Sequence, residues 1–87
     1  MEVKGIIHLI GEKKQVTDNM QKIEAIIQTQ EQYPQYLKVE FVNAKCDLLN
    51  GYGIGREVTV SINLRGNLSK DGQTAYVSLQ GWKINLT

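Results

Sequence analysis

Three observations in the sequence predict an all-β fold with one short helix. Apolar and polar residues alternate with the two-residue period of strands over Met20 to Gln28, Tyr36 to Val42, Glu57 to Arg65 and Thr74 to Trp82. The alternation breaks between the second and third of these runs, where Asn43 to Asn50 reads as a helix of about two turns. An apolar run, Val3 to Ile10, stands in front. The resulting order of three strands, one helix and two strands is the plan of a five-stranded OB-fold barrel with its helix between strands 3 and 4.

Each element has its own justification. In the first run Val3, Gly5, Ile7 and Leu9 alternate with positions that include Ile6 and Ile10, which predicts a strand covered on both sides at one end. Ile23, Ala25 and Ile27 form one face of the second run, and Lys22, Glu24, Ile26 and Gln28 the other. The third run puts Leu37, Val39 and Phe41 inward, with Tyr36, Lys38 and Glu40 outward. Pro34, in the connection Thr29 to Gln35, removes a ladder donor and calls for a longer hairpin loop. Asn43 has the chemistry of a helix N-cap, Ala44, Leu48 and Leu49 would face the barrel end, and Gly51 would stop the helix.

The fourth run alternates most cleanly, with Val58, Val60, Ile62 and Leu64 inward. Gly66 to Gln73 is a loop of turn formers whose tight point is expected at Asp71-Gly72. In the fifth run Ala75, Val77, Leu79 and Gly81 share a face, and the apolar parity then changes to Ile84 and Leu86. A bulge at Gly81-Trp82 would explain that change and would turn Trp82 towards the barrel.

With 87 residues, the chain is expected to be a single OB-fold domain spanning 1–87. The lone Cys46 has no partner for an intramolecular disulfide and is expected as a small, half-buried helix residue. The run Ile6 to Ile10 is too short to cross a bilayer, no secretion signal is recognisable, and a cytoplasmic protein that does not enter a membrane is expected. The triplets at Asn67 and Asn85 therefore carry no glycosylation reading.

Net charge is +1, from 10 Lys plus Arg against 9 Asp plus Glu. That excludes affinity built on a general basic excess. The positive groups are unevenly placed, with Lys13 and Lys14 in the first strand connection and Arg65 and Lys70 flanking the last loop. These two loops border the usual OB-fold groove.

Catalysis finds little support, because one histidine, His8, and one cysteine, Cys46, supply neither a metal set nor a nucleophile with its base. A non-enzyme without cofactor or metal is expected. Gly51-Tyr52-Gly53-Ile54-Gly55 is no nucleotide loop, since it follows a helix and precedes a strand, the reverse of the required order. The aromatic residues say more: Tyr33, Tyr36, Tyr52, Tyr76 and Trp82 are expected outside the core or in loops. Bases stack on exposed rings at roughly 1–3 kcal/mol each, so such rings beside lysines make a track for a single strand.

Met1-Glu2-Val3-Lys4-Gly5, Gln28 to Pro34, Leu37 to Val42 and Gly81-Trp82-Lys83-Ile84 resemble a family of short OB-fold proteins of Bacteroidetes-type bacteria and their phages. Its members are described as single-stranded DNA-binding proteins, and Glu31-Gln32-Tyr33-Pro34 is the most specific shared element. The resemblance implies the same fold and nucleic-acid binding. Where that family has an aromatic residue in the first loop and at the start of strand five, this chain has Gln15 to Met20 and Gln73-Thr74-Ala75. It also has Gly55-Arg56 where the family often has Gly-Asp.

The expected function is sequence-tolerant binding of single-stranded DNA, or RNA, on strands two and three between the first and last loops. Tyr36 and Tyr76 would stack bases, and Lys13, Lys14, Lys22, Lys38, Arg65 and Lys70 would meet phosphates. The alternative is a protein-interaction or homo-oligomeric assembly module using the outward tyrosines and Ile26. A homodimer or higher assembly is expected in either case, because short barrels leave strand edges that pair between subunits. The sequence given ends at Thr87 without an acidic extension, so binding is expected to use the barrel itself.

Overall fold

Residues 1–86, which the computed structural model describes, form six strands and one 3-10 helix. The five expected strands are β1 (Glu2–Ile10), β3 (Met20–Thr29), β4 (Tyr36–Val42), β5 (Glu57–Leu68) and β6 (Ala75–Leu86). A short β2 (Lys14–Thr17) lies in the segment expected as an open connection and pairs with β3 as a hairpin. β1 pairs with both β3 and β5, β5 with β6, and β4 with β3, while β6 runs parallel to β4. The ring is thereby closed, and the fold is an OB-fold barrel with its helix between β4 and β5.

Alternation decides what fills the barrel. Ala25 and Ile27 of β3, Val39 and Phe41 of β4, and Val58, Val60 and Ile62 of β5 are all buried, joined by Val3, Ile7, Leu49 and Ile84. β1 departs from its expected parity, because its register against β3 slips between Ile7 and Leu9. The slip leaves exposed His8 as the extra residue, pairs Ile10 with Ala25, and turns Leu9 to the outer face opposite Ile26.

The β5–β6 pairing outruns the barrel, continuing to Leu68 opposite Ala75. Leu64, expected inward, is 55% exposed, because no second layer lies over this projecting part of the hairpin. The turn closes as expected: the Ser69 N–H donates to Thr74 O at 2.8 Å, the Gly72 N–H donates to Ser69 O at 3.0 Å, and Gly72 has φ +73. The expected bulge is also present, since Ser61 faces Lys83 while Ile62 faces Gly81, leaving Trp82 unmatched. Trp82 is exposed and does not turn into the barrel. Gly81 is buried against Phe41, where a β-carbon would come within 2.5 Å of the ring.

The helix Asn43–Leu49 has the 3-10 period, and this changes which residues it buries. Residues three apart eclipse in such a helix, so Cys46 and Leu49 are buried, Leu48 is half-buried, and Ala44, expected to face the barrel, is exposed. Cys46 is fully inside, its thiol donating to the Phe41 carbonyl at 3.1 Å. Asn43 is not the N-cap. Val42 holds that position without a side-chain cap, and Asn43 takes a left-handed φ of 53, which asparagine tolerates better than most residues. Its Oδ1 accepts the Gln21 N–H at 2.9 Å, tying the helix start to β3. Gly51, the expected stop, follows with φ +89. Tyr52, expected outside, is half-buried against the core, with its hydroxyl donating to Ile84 O at 3.4 Å.

Candidate nucleic-acid interface

Cross-strand partners point to the same side of a sheet, so the registers of β1, β3 and β4 fix the outer face of the barrel row by row. The first row is Ile6, Gln28 and Tyr36, and the second is Leu9, Ile26 and Lys38. The third row sets Glu24 against Glu40, with Gln80 of β6 next to Glu40. The fourth pairs Lys22 with Val42.

Two like charges directly opposite one another destabilise a sheet, and the neighbouring lysines answer this diagonally. Lys22 Nζ lies 3.4 Å from Glu40 Oε1, and Lys38 Nζ lies 3.3 Å from Glu24 Oε2. Lys22 and Lys38, expected as free phosphate contacts, are therefore each held by a carboxylate. The Lys38–Glu24 pair is the more open, with side chains 62% and 28% exposed against 24% and 15%.

Tyr36 stands at the start of β4, 59% exposed, and its ring meets that of His8. The centroids are 5.2 Å apart and the planes 73° to one another. β1 and β4 flank β3, so this edge-to-face contact spans the strand between them. Sequence reasoning missed it: alternation sets His8 on the same side of β1 as Ile6, but only the register of β1 and β4 on either side of β3 shows that Tyr36 meets it.

The remaining expected residues divide. Lys14 faces Lys22 across the β2–β3 pair and so shares the outer side, and Arg65 donates from Nε to Gln80 Oε1 at 3.1 Å. Tyr76, opposite Asn67, is 63% exposed on the projecting hairpin, and Lys70 lies in its turn. Lys13 is the exception. It lines a cavity of about 360 Å³ with Gln15, Asp18, Asn43 and Asp47, between the β2–β3 hairpin and the helix. Gln15 and its partner Gln21 point to the side opposite Lys14 and Lys22, so Lys13 is not brought to the outer face.

At the hairpin tip Asp71 accepts hydrogen bonds from the Ser69 hydroxyl and the Gln73 N–H, which hold its carboxyl below the usual carboxylate range. Among the described residues no three His, Cys, Asp or Glu side chains gather as a metal site, and no helix is long and apolar enough to cross a membrane.

The chain belongs to the family described as Domain of unknown function (DUF3127), whose model matches residues 2–85. Its backbone is similar to the mitochondrial single-stranded DNA-binding protein Rim1 of S. cerevisiae, with TM-score 0.81, 19% identity, and coverage of 99% of this chain and 91% of that one. It is also similar to the N-terminal domain of PriB from Thermoanaerobacter tencongensis, solved as a dimer, with TM-score 0.71, 13% identity, and coverage of 100% and 93%. At these identities the likeness establishes the fold. A sequence search of curated proteins finds no match.

Proposed function

We propose that this protein is a single-stranded nucleic-acid-binding module, with DNA as its first ligand, and not an enzyme. The observation that carries the reading is the full-length likeness, at TM-score 0.81, to a barrel whose name states single-stranded DNA binding. The outer face supports it: Tyr36 and His8 offer rings, and Lys14 and Arg65 border the same face. Bases lie on the sheet over Tyr36, Ile26 and Lys38, and phosphates run along the rims near Lys14, Arg65 and Lys70. Lys22 and Lys38 contribute less than unpaired lysines would, because phosphate must compete with Glu40 and Glu24 for them. Lys13 lies to the side, and Tyr76 extends the track along the hairpin. The working form is a cytoplasmic homo-oligomer of one OB-fold domain.

Titration of a labelled oligo-dT followed by anisotropy, at low and then moderate salt, tests this. The expected result is saturable binding with a log–log salt slope of about −2, for three phosphates at roughly −0.7 each on a single strand. Tyr36→Ala should weaken it by roughly 1–3 kcal/mol. No binding at low salt would overturn the reading.

One observation favours assembly as a second role. On one side of the projecting hairpin Leu64, Leu68 and Val77 are 55%, 72% and 68% exposed, an apolar surface continuous with the barrel core. A second copy covering it would bury that surface. Light scattering of the wild type should give a dimer or larger, and Leu64→Glu with Val77→Glu should give a monomer. A monomeric wild type at micromolar concentration would remove this role.

A further inference from the structure

Resting on the single-strand reading, we propose that the outer face holds a subsite for one base and that this subsite selects guanine. Its floor is apolar, formed by Leu9 of β1 and half-buried Ile26 of β3, which are register partners in the second row. One wall is the ring pair of Tyr36, in the first row, and the bulged His8, and the other is the Lys38–Glu24 ion pair, whose carboxylate stands in the third row. Rows on one face of a strand are about 7 Å apart, so first and third are separated by about twice that. A base laid against Ile26 and the free face of Tyr36 fits between the walls with its edge towards Glu24 and Lys38.

The chemistry of that second wall decides which base fits. Glu24 offers a carboxylate with two oxygens, and Lys38 an ammonium that donates beside it. Guanine alone presents two adjacent donors, N1–H and the 2-amino group, on its Watson–Crick edge, next to the O6 acceptor. The donors match the carboxylate and O6 matches the ammonium. Thymine has a single N3–H flanked by carbonyl oxygens, which a carboxylate repels. Cytosine and adenine each bring one amino group next to a bare ring nitrogen, so only one carboxylate oxygen is satisfied. Glu40, directly opposite Glu24, is paired with Lys22, which leaves Glu24 as the carboxylate that meets the base edge.

Anisotropy titrations test this with three oligonucleotides of equal length: oligo-dT, oligo-dT carrying isolated guanines, and the latter with hypoxanthine in place of each guanine. Isolated guanines avoid self-association of guanine runs. Wild-type protein should bind the guanine oligonucleotide at least about fivefold more tightly than oligo-dT, the low end of discrimination by a bidentate contact. Hypoxanthine lacks the 2-amino group, and most of that gain should disappear with it. Glu24→Gln, checked for folding by its melting curve, should collapse the guanine-to-thymine ratio. Equal affinity for guanine and thymine in the wild type, or a ratio unchanged by Glu24→Gln, would overturn the subsite while leaving single-strand binding in place. Failure of all three oligonucleotides to bind at low salt would overturn the single-strand reading, and the subsite with it.

Discussion

A β-carbon on Gly5 would overlap the carbonyl oxygen of Gln28 and stand 2.9 Å from Ile27 Cγ2. β1 is pinned there on both sides, with Gly5 opposite Thr29 of β3 and Val58 of β5. The obstructing atom belongs to the ladder and cannot rotate away as a side-chain tip can. Gly5→Ala should therefore act as an overpacking change and cost about 1–3 kcal/mol. In a domain of this length each kcal/mol lowers the melting temperature by about 4–8 °C, which a thermal circular-dichroism scan reads directly. An unchanged melting temperature would mean that β1 shifts freely between its two partners. Gly5 was legible in the sequence only as one more position on the inward face, because its crowding comes from a strand more than twenty residues away. Asn43 makes the same point in reverse. Its side chain does satisfy a backbone donor, but the donor is Gln21 of another strand and not an amide of its own helix.

At the scale of elements, the β5–β6 turn depends on a carboxylate. Asp71 accepts from the Ser69 hydroxyl and from the Gln73 N–H, and both bonds favour its ionised form. Its folded pKa lies below the ordinary 3.8, so the turn's stabilisation is present above that value and is lost as pH falls through the lowered one. An NMR titration of the Gln73 amide should show a midpoint below 3.8, whereas a midpoint at or above it would mean that these bonds are not formed in solution. This turn was readable in advance, because Asp-Gly between alternating runs is a local signal, and so were five of the six strands and the bulge at Trp82. β2 was not: Lys14-Gln15-Val16-Thr17 is too short and too polar to display a period. The slip at His8 and the 3-10 period of Asn43–Leu49 also escaped, since partner strands and the barrel end impose both. Of the candidate site, the outward side of β4 was legible from parity alone, but the ion pairs and the His8–Tyr36 contact required the register between strands.

For the whole molecule, charge is the quantity that binding must reconcile. A net charge of +1 gives little long-range attraction for a polyanion. On the outer face Lys22 and Lys38 are paired with Glu40 and Glu24, so the centre of the proposed groove carries no local excess of positive charge. Among the described residues Lys14, Arg65 and Lys70, which no acid pairs, stand at its margins, where the proposed function puts the phosphates. Replacing both Glu24 and Glu40 with glutamine takes the net charge from +1 to +3 and frees two lysines without changing side-chain shape. Each newly engaged phosphate adds roughly −0.7 to the salt slope on a single strand, so the double variant should bind oligo-dT more tightly at low salt, with a slope steeper by about 1.4. Both changes are read from the same anisotropy titrations at several salt concentrations. Tighter binding with an unchanged slope would place the gain in contacts to bases, and weaker binding would mean that the carboxylates hold the lysines in their working positions. A steeper slope would identify the quartet as an electrostatic brake, which confines phosphates to the rims and leaves the centre of the sheet to the bases.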